Sequence, residues 1–97
     1  MEDFQIELNT ERRTVRLGGE LDIASVPKLS RALEQLTVNP GNITLDMDGV
    51  SFIDATGIRS IEEAARRLDG KIMLVNSKPL VRRVVGLLGD VSFMLLD

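Results

Sequence analysis

The sequence predicts a single α/β domain with a mixed β-sheet, and three observations lead to that fold class. Two segments near the N-terminus alternate apolar and polar residues, a pattern typical of half-buried strands that pair as a hairpin. Three later segments repeat apolar residues at spacings of three and four, which indicates amphipathic helices. Short apolar runs separate these helices, and such strands pair in parallel through right-handed crossovers. The predicted order is therefore β-β-α-β-α-β-α-β, with an antiparallel hairpin joined to parallel strands.

The N-terminal hairpin is predicted from residues 4–8 and 14–17, with a polar turn between the two strands. Gly18-Gly19 is expected to end the regular pairing of the second strand. The first helix then has Ser25 as a candidate N-cap and Pro27 in its first turn, where a missing N–H costs nothing. The face of this helix that is expected to pack on the sheet consists of Val26, Leu29, Leu33 and Leu36.

The central part of the chain is predicted to form a third strand and a second helix. The strand covers residues 43–47, and residues 50–53 form a short extension or a turn beyond Gly49. The helix covers residues 58–68, and Glu62 is expected on its outer face, paired with an arginine one turn later. The apolar face of this helix consists of Ile58, Ile61, Ala64, Ala65 and Leu68.

The C-terminal part is predicted to supply the last strands and the third helix. Residues 72–75 are continuously apolar, which favours a central strand that is covered on both faces. Asn76 or Ser77 is a candidate cap for the next helix. Residues 91–95 are expected to form a short strand or a packed tail. The inward face of the third helix consists of Val81, Val84, Val85 and Leu88.

Composition argues against several classes of function. The 97 residues contain no cysteine and no histidine, which rules out disulfides, thiolate metal sites and the usual general base. A net charge of −3 argues against nucleic acid as the main partner. The sequence shows neither a signal peptide nor an apolar run of about 18 residues, so we expect a cytoplasmic protein without direct membrane insertion. We also expect no cofactor and a monomer in the free state.

The stretch Asp54-Ala55-Thr56-Gly57 joins an apolar run to the second helix, and it is the candidate functional site. A helix start has unpaired N–H groups and partial positive charge, so a hydroxyl can cap it and a phosphate is favourable there. From its position alone, Thr56 is most simply an N-cap, and Asp54 is a capping or solubilising residue.

Asp46 and Asp48 support a competing interpretation as an enzyme. An apolar strand that ends in Asp-x-Asp-Gly is similar to the nucleophile motif of haloacid-dehalogenase-type phosphatases, which use Mg²⁺. That chemistry also needs a lysine and further carboxylates from later strand ends, and the C-terminal half has no supporting pattern. A weak Mg²⁺ or Ca²⁺ site that includes Asp54, and a receiver domain with a phosphorylated aspartate, are further alternatives. We expect instead a solvated acidic edge and a protein that is not an enzyme.

The sequence as a whole resembles the STAS domain of bacterial anti-sigma factor antagonists. The strongest match is residues 50–58, which contain the Asp-x-Ser/Thr-Gly junction of that family as Asp54, Thr56 and Gly57. The resemblance covers essentially the whole chain and implies the fold of that family. Further matching segments are residues 19–22, 43–47 and 74–81.

The resemblance implies a role for each residue of the junction. In the family, the junction Ser or Thr is phosphorylated by a partner kinase that is also the anti-sigma factor, so Thr56 would be the acceptor. The unphosphorylated protein would bind that kinase, which has a histidine-kinase-like ATPase fold, and thereby release a sigma factor. The implied partner-binding residues are Asp22, Asp54, Ala55, Thr56, Gly57 and Arg59.

The junction departs from the family pattern at two positions. Ala55 stands where a serine is usual, and the acceptor Thr56 is a threonine rather than the commoner serine. Arg59, one turn later, opposes the helix dipole but could pair with a phosphate. Some family members bind partners without phosphorylation, as accessory subunits of lipid transporters or as scaffolds of stress complexes. An adaptor of that kind is the alternative function.

Overall fold

The computed structural model describes residues 4–90 and 94–97, and its elements follow the predicted order β-β-α-β-α-β-α-β. This confirms the predicted α/β fold class. The strands are β1 (Gln5–Asn9), β2 (Thr14–Leu21), β3 (Ile43–Ile53), β4 (Ile72–Val75) and β5 (Met94–Leu96), and the helices are α1 (Val26–Thr37), α2 (Ala55–Arg67) and α3 (Pro79–Leu88).

The strands of residues 4–90 and 94–97 form one mixed sheet with the order β1-β2-β3-β4-β5. β1 pairs antiparallel with β2, as predicted for the hairpin, and the remaining neighbours pair in parallel. Each crossover helix connects two adjacent parallel strands. Because right-handed crossovers in a steadily advancing sheet all pass over the same face, the three described helices share one side of the sheet.

The core lies between that face and the helices, and it is almost entirely aliphatic. Alternate residues of β2, β3 and β4 point into it, in agreement with the period-two pattern of half-buried strands. The amphipathic stripe predicted for α1 is confirmed for Leu29, Leu33 and Leu36, which are all buried. Other fully buried side chains include Leu17, Leu21, Ile43, Leu45, Met47, Ile58, Ile61, Ile72 and Leu74.

The opposite face of the sheet carries polar and charged residues. The Arg16 guanidinium of β2 lies 3.7 Å from the Glu7 carboxylate of β1 and 3.6 Å from the Asp46 carboxylate of β3. Met73 and Val75 of β4 point to this side and are only half-buried. The expectation that β4 is covered on both faces is therefore wrong for the described residues, because the helices cover one face only.

β2 and β3 are both longer than predicted. β2 continues through Gly18-Gly19 to Leu21, with register shifts on either side of the glycine pair. β3 continues through Gly49, where an added Cβ would lie 3.0 Å from the Gly18 Cα. Two glycines that face each other let the strands approach closely, and the irregular pairing is absorbed as a bulge rather than a break.

The predicted helix caps are only partly correct. Ser25 occupies the N-cap position of α1, but its hydroxyl donates to the Glu20 carbonyl and makes no capping bond to the helix. Lys78, not Asn76 or Ser77, occupies the N-cap position of α3. Asn76 instead has a φ of +60°, which places it in the turn that leaves β4.

Two helix faces also differ from the prediction. Glu62 of α2 was expected outside, but it is only 7% exposed, and its carboxylate accepts the Asp90 N–H at 2.6 Å. Leu88 was expected inside, but it is 58% exposed at the end of α3. Sequence periodicity identifies which residues form the apolar stripe of a helix. How many of those residues are buried depends on the neighbouring elements.

The C-terminal segment forms a strand, as one of the two expectations for it had proposed. β5 pairs in parallel with β4, with Leu74 opposite Leu96. Residues 91–93, the first part of the predicted segment, lie outside the described residues. In the part of the chain that the structure describes, no helix has the length and apolar character needed to cross a lipid bilayer.

The start of α2 packs directly on the backbone of β2, and Gly57 makes this possible. A Cβ added at Gly57 would lie 2.5 Å from the Leu21 carbonyl oxygen and 3.0 Å from the Leu21 side chain. Gly86 of α3 differs completely, because an added Cβ there would meet nothing within 4 Å. The two glycines therefore form a matched pair for mutation.

We expect Gly57→Ala to destabilise the domain by about 1–3 kcal/mol, since the methyl group would push α2 away from β2. Gly86→Ala should instead stabilise it by about 0.5–1 kcal/mol, because alanine favours the helix and its methyl group would clash with nothing. Urea unfolding of both variants measures the difference. A Gly57→Ala protein as stable as the wild type would contradict the close packing described here.

Candidate functional site

The candidate site lies at the edge of the sheet where the parallel strands β2 and β3 end side by side. Leu21 and Ile53 are paired at these ends, and the Asp54 N–H donates to the Leu21 carbonyl at 3.3 Å. The next residues of the two strands, Asp22 and Asp54, consequently lie at the same edge. Helices α1 and α2 start from this edge, so their free N–H groups also point there.

Asp54 is the N-cap of α2. Its backbone is extended, with φ −122° and ψ −175°, and the carboxylate turns back over the helix start. Oδ1 accepts the Thr56 N–H at 3.0 Å and the Gly57 N–H at 3.1 Å. The same oxygen accepts the Thr56 hydroxyl, with an Oγ1–Oδ1 distance of 2.6 Å. One carboxylate oxygen therefore holds both the helix start and the hydroxyl.

The structure corrects the interpretation of Thr56 as the cap. α2 begins at Ala55, three residues before the predicted start, so Thr56 already lies in the first turn. A carboxylate at the preceding cap position is the stronger acceptor for the N–H groups, and it leaves the hydroxyl to act as a donor. The spacing of Asp54 and Thr56 did contain this signal, since aspartate is among the preferred N-cap residues.

The hydrogen bonds at the helix start lower the pKa of Asp54. The largest cause is the hydrogen bond from the Thr56 hydroxyl, followed by that from the Gly57 N–H, and burial opposes them only in part. The carboxylate is therefore ionised at neutral pH and is bound as an anion at the positive end of the helix dipole. This arrangement can stabilise a negative group, and it orients the Thr56 hydroxyl.

Asp22 has a separate set of partners. Its Oδ1 accepts the Ala24 N–H at 3.0 Å and the Ser25 hydroxyl at 3.3 Å. Its backbone carbonyl accepts the N–H groups of Ser25 and Val26 at 3.0 and 3.2 Å. These bonds define the turn that connects β2 to α1. Asp22 therefore shapes the rim of the site through its own turn.

The predicted site residues fall into three groups. Asp54, Thr56 and Gly57 are joined by hydrogen bonds, and Gly57 is buried against β2. Ala55 is half-buried at the edge, while Arg59 is exposed one turn beyond Thr56 in α2. Asp22 completes the same edge from the neighbouring strand without a described bond to the other groups.

Sequence reasoning missed two exposed apolar side chains at this edge. Ile23 follows Asp22 and is 74% exposed, and Phe52 precedes the junction and is 43% exposed. Ile23 falls outside the apolar stripe of α1, and the sequence could have indicated its exposure by that mismatch. Apolar side chains beside polar groups are typical of surfaces that bind other proteins.

The phosphatase interpretation required Asp46 to lie at the end of a strand, and it does not. It lies within β3, where its carboxylate interacts with Arg16, accepts the Asn76 amide at 3.2 Å and accepts the Asp48 N–H at 3.1 Å. Burial raises its pKa, but these hydrogen bonds and the Arg16 charge outweigh burial and lower it. Among residues 4–90 and 94–97, no group of three or more acidic side chains is arranged to hold a metal ion.

Comparison with protein families identifies the fold. The model of the STAS domain matches residues 4–95, which is nearly the whole chain. The chain belongs to the STAS domain family. The predicted resemblance is thereby confirmed at the level of the family. Among curated proteins, none matches this STAS domain significantly.

Solved structures similar to this STAS domain include anti-sigma factor antagonists. The unphosphorylated form of the antagonist SpoIIAA is 29% identical, with a TM-score of 0.63 and coverage of 98% of this chain and 88% of that one. An antagonist from Mycobacterium paratuberculosis is 19% identical, with a TM-score of 0.78 and coverage of 96% and 86%. The phosphorylated form of the Bacillus cell fate determinant SpoIIAA is 24% identical, with a TM-score of 0.61 and coverage of 98% and 91%.

The lowered pKa of Asp54 predicts how acid affects stability. A carboxylate with a pKa below its unfolded value of about 3.9 stabilises the fold above that pH, and this contribution is lost as the pH falls through the folded pKa. Asp54→Asn keeps a capping oxygen but cannot titrate, so its melting temperature should fall less between pH 5 and 3 (about 1 unit either side of that value) than that of the wild type.

Asp54→Ala is the matched control, because it removes both the cap and the charge. It should cost about 1 kcal/mol at neutral pH, more than Asp54→Asn, since alanine cannot accept the helix N–H groups. Thermal melts of the three proteins across this pH range provide the measurement. Equal acid sensitivity in the wild type and in Asp54→Asn would show that another group governs the acid response.

Proposed function

We propose that this STAS domain is an anti-sigma factor antagonist whose binding to a partner kinase is controlled by phosphorylation of Thr56. The observation that carries the proposal is the Thr56 hydroxyl, held by Asp54 at the start of α2 on a half-exposed edge of the sheet. The similarity to unphosphorylated SpoIIAA, an anti-sigma factor antagonist, over 98% of the chain supports the general role.

The partner in this proposal is an anti-sigma factor that is also a serine/threonine kinase with a histidine-kinase-like ATPase fold. ATP belongs to that kinase, and the STAS domain itself supplies only the acceptor. A bond forms between Thr56 Oγ1 and the γ-phosphorus of ATP, the bond from that phosphorus to the bridging oxygen breaks, and ADP leaves. The hydroxyl proton is released. The unphosphorylated STAS domain binds the kinase and thereby frees a sigma factor.

The described surface around Thr56 supports docking of a protein. Ile23 follows the end of β2, Phe52 lies near the end of β3, and both are exposed apolar side chains, while Asp22 and Arg59 add charges at the starts of the two helices. A phosphate at Thr56 would add a charge of about −1.5 to −2 at this edge. A partner that packs closely on the edge would have to accommodate the added volume and desolvate the added charge. Phosphorylation therefore blocks the complex.

The junction contains a single hydroxyl, because Ala55 stands where the family usually has a serine. Three serines elsewhere in the described chain have structural surroundings. Ser25 donates to the Glu20 carbonyl, Ser51 donates to the Gly19 carbonyl at 3.4 Å, and the Ser77 hydroxyl oxygen is buried. Mutation of Thr56 therefore removes the single hydroxyl of the junction and tests directly whether it is the phosphate acceptor.

Phosphopeptide mapping of the protein from its native cells should find the phosphate on Thr56. Thr56→Ala should abolish phosphorylation, while Thr56→Ser should retain it, because serine preserves the hydroxyl that bonds to Asp54. Phosphate found mainly on Ser25, Ser51 or Ser77, or full modification of Thr56→Ala, would refute the assignment.

The unmodified protein, used as bait in the native cell extract, should recover an ATPase with a histidine-kinase-like fold. Binding of that purified kinase, measured by calorimetry, should weaken at least about 10-fold when Thr56 carries phosphate, a loss of about 1.4 kcal/mol. Thr56→Ala should bind the kinase regardless of ATP. The adaptor role would be favoured instead if the bait recovered transporter subunits and these bound the unmodified and the phosphorylated protein with equal affinity.

A further inference from the structure

We propose that Asp54 and a phosphate on Thr56 compete for the same N–H groups, so that phosphorylation displaces the Asp54 carboxylate from the start of α2. The inference deepens the proposed function and rests on it for the choice of Thr56 as the acceptor. In the unmodified protein the Asp54 carboxylate is the cap of α2, and in the phosphorylated protein the phosphate replaces it. The two groups exchange the helix cap.

The starting state depends on three donors that converge on one oxygen. Asp54 Oδ1 accepts the N–H groups of Thr56 and Gly57 and the Thr56 hydroxyl, all within 3.1 Å. The hydroxyl gives the shortest of these bonds, at 2.6 Å. Phosphorylation replaces the hydroxyl proton with phosphorus, so this donor is lost. The Asp54 oxygen then lies beside an ester oxygen that can only accept.

The new phosphate brings a second anion into the same space. It carries about −1.5 to −2 charges at neutral pH. The attachment point, Thr56 Oγ1, lies 2.6 Å from Asp54 Oδ1 in the unmodified protein. At such separations salt screens little, because the Debye length at physiological ionic strength is about 8 Å. Attraction between the two side chains consequently becomes repulsion.

Once the hydroxyl donor is lost, the two anions compete for the N–H groups of the helix start. The sequence suggested that these N–H groups would be free to receive a phosphate, and the structure shows that Asp54 already holds those of Thr56 and Gly57. The phosphate is tethered to the first turn and carries more charge, so it is the better ligand for the positive end of the helix. The Asp54 carboxylate turns outward, and the binding edge changes at two residues rather than one.

Asp22 provides a matched control for this effect. It is a second carboxylate at this edge, but its Oδ1 bonds to Ala24 and Ser25 within its own turn. Its charge is similar, whereas its described hydrogen bonds do not include Thr56. A general repulsion from nearby acids would involve both residues, while an exchange of the cap involves Asp54 alone.

The experiment measures the coupling between Asp54 and the phosphate without any kinase. Phosphothreonine is incorporated at position 56 during synthesis of the full chain, in the wild type, Asp54→Asn and Asp22→Asn. Asparagine still caps the helix but carries no charge. The change in melting temperature on phosphorylation should be at least about 4 °C less favourable in the wild type than in Asp54→Asn. Asp22→Asn should behave as the wild type does.

A second readout follows the carboxylate itself. In NMR spectra of the wild type, the chemical shift of the Asp54 carboxyl carbon should change on phosphorylation. The chemical shift of the Gly57 amide proton should remain typical of a hydrogen-bonded group, because the phosphate replaces Asp54 as its acceptor. If Asp54→Asn folds poorly, Asp54→Ser supplies an uncharged cap for the same comparison. Equal changes in melting temperature with and without the Asp54 charge would overturn the inference, as would an Asp54 carbon that does not respond.

The two proposals fail in distinguishable ways. A strong coupling in the synthetic phosphoprotein, together with no phosphate on Thr56 in native cells, would overturn the proposed function while the physical competition stands. Phosphorylation of Thr56 in cells, together with no coupling to Asp54, would overturn only the exchange of the cap.

Discussion

The close approach of helix α2 to the backbone of β2 is the constraint on which the site depends. The Leu21 carbonyl accepts the Asp54 N–H and lies where a side chain at residue 57 would have to be. Behind this contact, Ile58 and Ile61 are buried in the core. The first turn of α2 is therefore fixed in direction, and Thr56 is held on the edge of the sheet rather than on a loop. A rigid element positions a functional group more accurately than a loop does.

The asymmetry of the sheet explains why the site lies at an edge. The described helices cover one face, and the other face carries the charged row of Glu7, Arg16 and Asp46. β2 and β3 extend far enough to finish together, which brings the starts of α1 and α2 to the same place. Backbone N–H groups, carboxylates and exposed apolar side chains occur together where these long strands end.

The chemistry of the site depends on three hydrogen bonds that converge on one carboxylate oxygen. A single Asp54 oxygen stabilises the helix start and orients the Thr56 hydroxyl, so the helix cap and the proposed switch share one group. This sharing makes the edge sensitive to a change in the hydroxyl, because the bond that is lost belongs to the cap of the helix. The packing of α2 on β2 lies behind the cap and does not involve the hydroxyl. The surface can therefore change while the core of the domain stays intact.

The sequence by itself determined the element order, the inward stripes of the helices and the junction of Asp54 with Thr56. These features are written in local periodicity and in residue types at short spacing, which report on burial and on capping. Only the tertiary structure decided that Gly18-Gly19 and Gly49 face each other and prolong two strands, because each glycine alone signals a break. It also decided between Asp54 and Thr56 as the cap of α2, and it showed that Glu62 is buried against the Asp90 N–H. The physical reason is that strand length and the burial of a charge depend on partners far away in the chain.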